Sequence, residues 1–277
     1  MLSAVRVRDK CEVLAPDESR GLEVYRCPDC ESTVVLKKCR LKIDHFAHKP
    51  PITCTYGSGE SETHRRCKLG LFRALQTRPE VTHLKLERSL KTIRPDVSFR
   101  LGELRVAIEV QISSLTLETI IRRTEEYAKR GIALIWLAQW SDKVIASKYT
   151  PLSWEKWVHA AQFGRIYYWK EGLTVIPIHF GEHYLWQDGS EWYTPEGEHK
   201  SVGYYWKNSK RFVKPIKGRE LNLLDDFVCK PREEWIGKGR FPIPAYKLWF
   251  DKRIYSWAKI PKPISPPDSS SEPAKAN

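Results

Sequence analysis

The chain has 277 residues, 41% hydrophobic and 29% charged, which gives enough apolar content for a sizeable core and too much for a wholly disordered polymer. Lys and Arg number 47 against 34 Asp and Glu, a formal charge of +13, and that surplus favours a polyanionic partner, nucleic acid first. The longest apolar run, residues 132–138, falls well short of the roughly 18 residues a membrane span needs, and the first residues lack a signal-peptide apolar region. A cytoplasmic chain with no membrane partner is expected. Its seven Cys are odd in number, so in a reducing compartment they suggest metal ligation rather than a disulfide framework.

Residues 1–57 hold five of the seven Cys and two His. Cys27 and Cys30 form a Cys-x₂-Cys knuckle, and His45 and His48 a His-x₂-His pair further on. Two thiolates and two imidazoles suit a closed, tetrahedral zinc site, with Cys39 and Cys54 as alternative ligands. A segment of this length has little core of its own, so structural Zn²⁺ would supply much of its folding energy.

Residues 58–140 alternate helical and strand patterns. Residues 60–77 predict a helix, with Leu69, Leu71, Phe72 and Leu75 at helical spacing, Ser61 as N-cap and Pro79 beyond the end. Residues 81–90, 93–101 and 104–111 alternate as strands, with Gly102-Glu103 as a tight turn between the last two. Residues 115–130 predict a second helix stopped by Gly131, and residues 132–138 a buried strand. The expected order is helix, three strands, helix, strand.

A two-residue turn at Gly102-Glu103 sets Leu101 opposite Leu104, and therefore Asp96 opposite Glu109. Facing residues of an antiparallel pair have Cβ atoms about 4.5–5.5 Å apart. Gln111 shares the face of Glu109 and lies opposite Arg94. Two opposed carboxylates repel, and a divalent cation with oxygen ligands offsets that repulsion. A bound metal of this kind, Mg²⁺ or Mn²⁺, can activate water against a phosphodiester; the alternative is a solvated sheet face, with Asp96 paired to Arg94 and Glu109 exposed.

Beyond residue 140, residues 151–163 predict a helix. Residues 165–170, 173–180 and 183–187 predict strands joined by turns at Glu171-Gly172 and Gly181-Glu182, with further turns at Asp188-Gly189 and Glu196-Gly197. A mainly β, aromatic-rich region over 141–260 is expected, then a Pro/Ser-rich disordered tail over 261–277. Residues 200–277 carry 17 Lys and Arg against 8 Asp and Glu. Aromatics interleave with Lys207, Lys210, Arg211 and Lys214, a mixture that suits DNA, single strands in particular, because bases stack on rings while cations hold phosphates.

Arg94-Pro95-Asp96 followed by Ile108-Glu109-Val110-Gln111 resembles the signature of the PD-(D/E)XK nuclease superfamily. With Cys27-Pro28-Asp29-Cys30, His45-Phe46-Ala47-His48, Glu60-Ser61, His64 and Lys68, the chain is similar over residues 20–140 to the CoiA-like competence protein family. The resemblance implies an α+β protein: a zinc-knuckle-like N-terminal segment, a restriction-endonuclease-like αβββαβ core and a β-rich C-terminal region. It also implies a metal-dependent nuclease in DNA uptake, recombination or processing, acting with a recombination or helicase partner. The alternative is a non-catalytic DNA-binding recombination accessory on a nuclease-like scaffold. Asp96 and Glu109 would then hold the catalytic ion, and Gln111 would stand where most of the superfamily has Lys, offering an amide dipole in place of a full charge. Glu60, His64 and Lys68 are four apart on one helical face. Glu60, or Glu62 on another face, would add a carboxylate, His64 would contact phosphate or water, and Lys68 or Arg94 would supply a helper cation or a nucleic-acid contact.

Overall fold

The structure, a computed structural model, describes residues 1–52, 54, 60–236, 241–257 and 259–264. Residues 265–277 of the expected tail lie outside the described residues. Among those described, strands outnumber helices. A five-stranded antiparallel sheet comes first, from β1 (Ser3–Arg6), β2 (Glu12–Leu14), β3 (Tyr25–Arg26), β4 (Thr33–Lys37) and β5 (His45–His48), in the order β2-β1-β3-β4-β5. It packs Tyr25, Cys27, Val34 and Phe46 into a small core of its own.

Then follow α1 (Glu62–Gln76), β6 (Val81–Leu86), β7 (Val97–Leu101), β8 (Leu104–Gln111), α2 (Leu117–Lys129) and β9 (Ala133–Gln139). This is the expected order of helix, three strands, helix, strand. Ser61 caps α1 by accepting from His64 N at 3.2 Å, and Thr116 caps α2 in the same way from Thr119 N. The β7–β8 hairpin turns at Gly102, whose φ of +56° suits a residue without Cβ, and pairs Leu101 with Leu104 and Val97 with Ile108. β9 lies parallel to β8, so that Glu109 neighbours Trp136 and Gln111 neighbours Ala138.

The chain continues through α3 (Ser153–Ala161), β10 (Ile166–Glu171), β11 (Thr174–Gln187), β12 (Ser190–Tyr193), β13 (His199–Val202), β14 (Tyr205–Lys217), β15 (Leu221–Asn222), β16 (Phe227–Arg232) and β17 (Tyr246–Asp251). The second sheet runs β14-β11-β10-β9-β8-β7-β6 and passes residue 140 without a break. β17 joins it beside the first half of β9, at Leu134, and β10 beside the second half. A single buried cluster, from Leu71 and Leu75 of α1 to Trp249 and Phe250 of β17, fills the space against this sheet.

One turn is corrected. Gly181-Glu182 does not separate two strands, because β11 runs straight through it. Gly181 serves close packing instead: a Cβ there would meet Ile260 Cδ1 at 2.8 Å and Ile216 Cδ1 at 3.0 Å.

Candidate metal and carboxylate sites

Cys27, Cys30, His48 and Cys54 bring four ligand atoms within 4.8 Å of one another. Three thiols and an imidazole match the donor chemistry of structural zinc, and this group could hold a zinc ion. Cys30 Sγ lies 3.3 Å from His48 Nε2. Burial favours the neutral thiol of Cys30, but hydrogen bonds from Ser32, then His48 and Cys27, outweigh it and bring the group down to about 6. Burial pushes Cys27 up to about 12. A bound cation would deprotonate both.

His45 is not in this group. Side chains alternate along a strand, so residues three apart on β5 point to opposite faces. His48 shares the face of the buried Phe46, while His45 sits beside Ile43 O at 3.1 Å and Cys39 Sγ at 3.9 Å. Cys54, one of the two alternatives, takes its place.

Asp96 immediately precedes β7, one residue beyond the last register pair, Val97 with Ile108, and its carbonyl accepts from Glu87 N at 2.9 Å. Its Oδ2 accepts from Val110 N at 2.8 Å and lies 3.0 Å from His64 Nε2 of α1. Lys68 Nζ, also of α1, stands 3.8 Å from Oδ1. Burial alone would raise the Asp96 carboxyl, but His64, Lys68 and the Val110 N–H hold it well below the usual carboxylate range. Asp96 in turn raises the His64 imidazole against the lowering effect of burial.

Glu109 is buried and covered by α2. Its Oε1 accepts from both Arg123 and Tyr127, residues four apart on one helical face. Burial pushes this carboxyl up to about 7; Arg123 opposes the rise and the charge of Asp96 adds to it. The two carboxylates are therefore electrostatic neighbours. Gln111 is nearly buried, and its amide donates to Ser113 O at 2.7 Å. Among the described residues, convergence of three or more metal-type donors occurs at the Cys/His group, whereas the carboxylates are matched with cations from the flanking helices.

Lys68 and Arg94, expected at a nucleic-acid surface, are instead 3% and 6% exposed. They share Glu87. Lys68 pairs with Glu87 and Glu60, and Arg94 Nη2 meets Glu87 Oε2 at 2.7 Å. Arg94 Nη1 reaches Asp29 Oδ2, also at 2.7 Å, inside the Cys-Pro-Asp-Cys knuckle. Glu87 additionally accepts from Leu2 N, just before β1, and from Ser3 N at its start. A continuous chain of charge thus runs from the knuckle through Arg94, Glu87 and Lys68 to Asp96. Glu60 also lies 3.6 Å from His64 Nδ1, whereas Glu62 turns to Ile43 N and Arg65.

Three participants were missed in the sequence. Arg123 and Tyr127 carried a signal in their i, i+4 spacing. Glu87 carried none: strict strand alternation sets it on the same side as His83 and Lys85. A register shift between Thr82 and Lys85, with φ of +52° at His83 and +53° at Glu87, breaks that alternation and turns Glu87 inward. Lys207, Lys210, Arg211 and Lys214 are all exposed on β14.

Residues 60–170 match the family described as the nuclease-like domain of competence protein CoiA, and residues 15–57 match the CoiA N-terminal domain. Competence protein CoiA of Bacillus subtilis (strain 168) is 33% identical over 137 residues, 48% of this chain and 36% of that protein. The similarity therefore spans about a third of that relative's length. No solved structure matches. No helix among the described residues is long and apolar enough to cross a membrane.

Proposed function

The chain belongs to the CoiA-like competence protein family, and from that premise we propose that it is a metal-dependent nuclease hydrolysing DNA phosphodiester bonds during DNA uptake or recombination. The observation that supports the proposal is Asp96 Oδ2 at 2.8 Å from Val110 N, the residue after Glu109, with His64 and Lys68 of α1 on Asp96 and Arg123 of α2 on Glu109. Two carboxylates suit Mg²⁺ or Mn²⁺, ions that take one or two protein carboxylates and complete their shell with water and phosphate oxygens. Bound there, the ion supplies Lewis-acid stabilisation of the phosphodiester and an acidified water.

The remaining roles belong to the chain itself. His64, Lys68 and the Val110 N–H together favour the ionised form of the Asp96 carboxylate. Asp96 favours the protonated form of His64, which would serve as proton donor to a phosphate oxygen or a leaving group. Lys68 provides the full positive charge that Gln111 lacks. Held by Glu60 and Glu87, it acts through the field at Asp96 and not as a surface contact. Arg123 offsets the charge of Glu109, a partnership that a bound ion would have to compete with.

A supercoiled-plasmid nicking assay tests this. Wild type is expected to nick with Mn²⁺ or Mg²⁺ and not without. Asp96→Asn, which keeps an acceptor for Val110 N–H, should lose on the order of 100-fold, the scale of one preorganised electrostatic contact. The second reading, a non-catalytic DNA-binding accessory, draws on Gln111 donating to Ser113 O and on Glu109 already engaged by Arg123 and Tyr127. Wild type that binds DNA but never cuts it supports that reading and removes the enzyme.

A further inference from the structure

Past Ile178, β11 loses β10 as a neighbour and continues with β14 alone, so the two strands form a ribbon. Strands in a ribbon are only about 5 Å apart; Tyr149 and Ile260 pack on its base at Val213 and Gly181, whereas residues 204, 205 and 207 at its outer end are exposed. The register pairs Trp186 with Trp206 and Leu185 with Lys207. Tyr204, two residues before Trp206, shares the Trp face. Trp186 stacks on Tyr204 with ring centroids 5.9 Å apart and planes 10° apart, and meets Trp206 edge-on at 5.3 Å. Tyr204 is nonetheless 70% exposed. An aromatic stack with an open outer ring is a surface that another flat ring extends.

The β14 side of this ribbon is positive, while Glu182 lies on the paired strand and Lys200 pairs with Glu198. Residues 199–219 hold seven Lys and Arg and no Asp or Glu. Some surface cations elsewhere find acids, as Arg78 does with Asp225 and Lys170 with Glu220. On β14, by contrast, Lys207, Lys210, Arg211 and Lys214 form no ion pair among the described residues. The register shift between Glu182 and Tyr184 lets β14 bulge over Ser209 to Phe212, and that bulge presents Lys210 and Arg211 together.

We propose that this ribbon is a single-strand platform, on which Trp186, Tyr204 and Trp206 stack bases while Lys207, Lys210, Arg211 and Lys214 follow the phosphates. The inference deepens the reading of DNA as substrate, and it selects unpaired strands. Bases in a duplex are already stacked on each other and offer no free face to a side chain, whereas a single strand gains stacking energy on every ring it meets. The ribbon is narrow enough for the long Lys stems to reach round its edge from the opposite face.

Anisotropy of fluorescein-labelled oligothymidylate, without added Mg²⁺ or Mn²⁺, tests the platform separately from cutting. Wild type should bind the single strand more tightly than a duplex of equal length. Tyr204→Ala and Trp186→Ala should each weaken single-strand binding about 5- to 100-fold. Tyr204 is exposed enough that its loss leaves the ribbon folded. Replacing Lys207 or Lys210 with Ala should reduce the salt slope by about 0.7 for each phosphate left without its cation. Equal affinity for duplex and single strand, insensitivity to Tyr204→Ala, or no oligonucleotide binding at all, as for a protein-docking arm, would overturn the platform. A chain that binds strands in this way but fails the nicking assay keeps the platform and loses the nuclease.

Discussion

Cys54 contributes to the Cys/His group although it lies far along the chain from the knuckle, and His45 does not, although it lies closer. The cause is local: on a strand, a spacing of three splits two side chains between opposite faces. Zinc content should follow this geometry. Purified wild type should carry one zinc per chain by elemental analysis, Cys54→Ala should lose most of it, and His45→Ala should retain it. Zinc retained in Cys54→Ala and lost in His45→Ala would restore the His-x₂-His pairing.

At the scale of elements, the β7–β8 hairpin was legible because a two-residue turn at Gly102 leaves one register for the strands that follow. The α1 helix was legible because Ser61 and the spacing of Leu71 and Leu75 mark its start and its buried face. The interior ion pairs were not. Lys68 and Arg94 carry the same charge whether exposed or buried, and only the packing of β1, α1 and the knuckle around Glu87 decides which. Gly181 misled in the same way, since a glycine that permits a turn also permits close contact within a strand. The buried Arg94 ties three elements together: the knuckle through Asp29, the segment after β6 through Glu87, and the start of β7. Arg94→Met would leave Asp29 and Glu87 short of a partner. Urea denaturation should show a loss of about 3–5 kcal/mol, the usual cost of breaking a buried pair from one side. A change below about 1 kcal/mol, the scale of a surface ion pair, would contradict that strap.

Across the whole molecule, one sheet frames both the carboxylate pair at β7–β8 and the basic ribbon of β11 and β14. The frame also has a built-in sensitivity to acid. Burial, followed by the charges of His179 and Arg165, lowers His159 to about 3 from an ordinary 6.5. Its neutral Nε2 accepts from Phe180 N at 3.0 Å. The unfolded chain therefore binds a proton that the folded chain refuses between those two values. Stability from this group is complete above pH 6.5 and falls as pH drops towards 3. Melting temperatures should decline over that window, and His159→Gln should flatten the decline. An unchanged pH profile in His159→Gln would rule out this source of acid sensitivity.

The central claim is that Asp96 and Glu109 together receive a divalent ion. Titrating the zinc-loaded chain with Mn²⁺, followed by the loss of the free-ion electron paramagnetic resonance signal, counts that site directly. Wild type should take up Mn²⁺ beyond its zinc, while Asp96→Asn and Glu109→Gln should each abolish the uptake and leave the zinc in place. Mn²⁺ uptake unchanged in both variants, or absent from the wild type, would contradict the account.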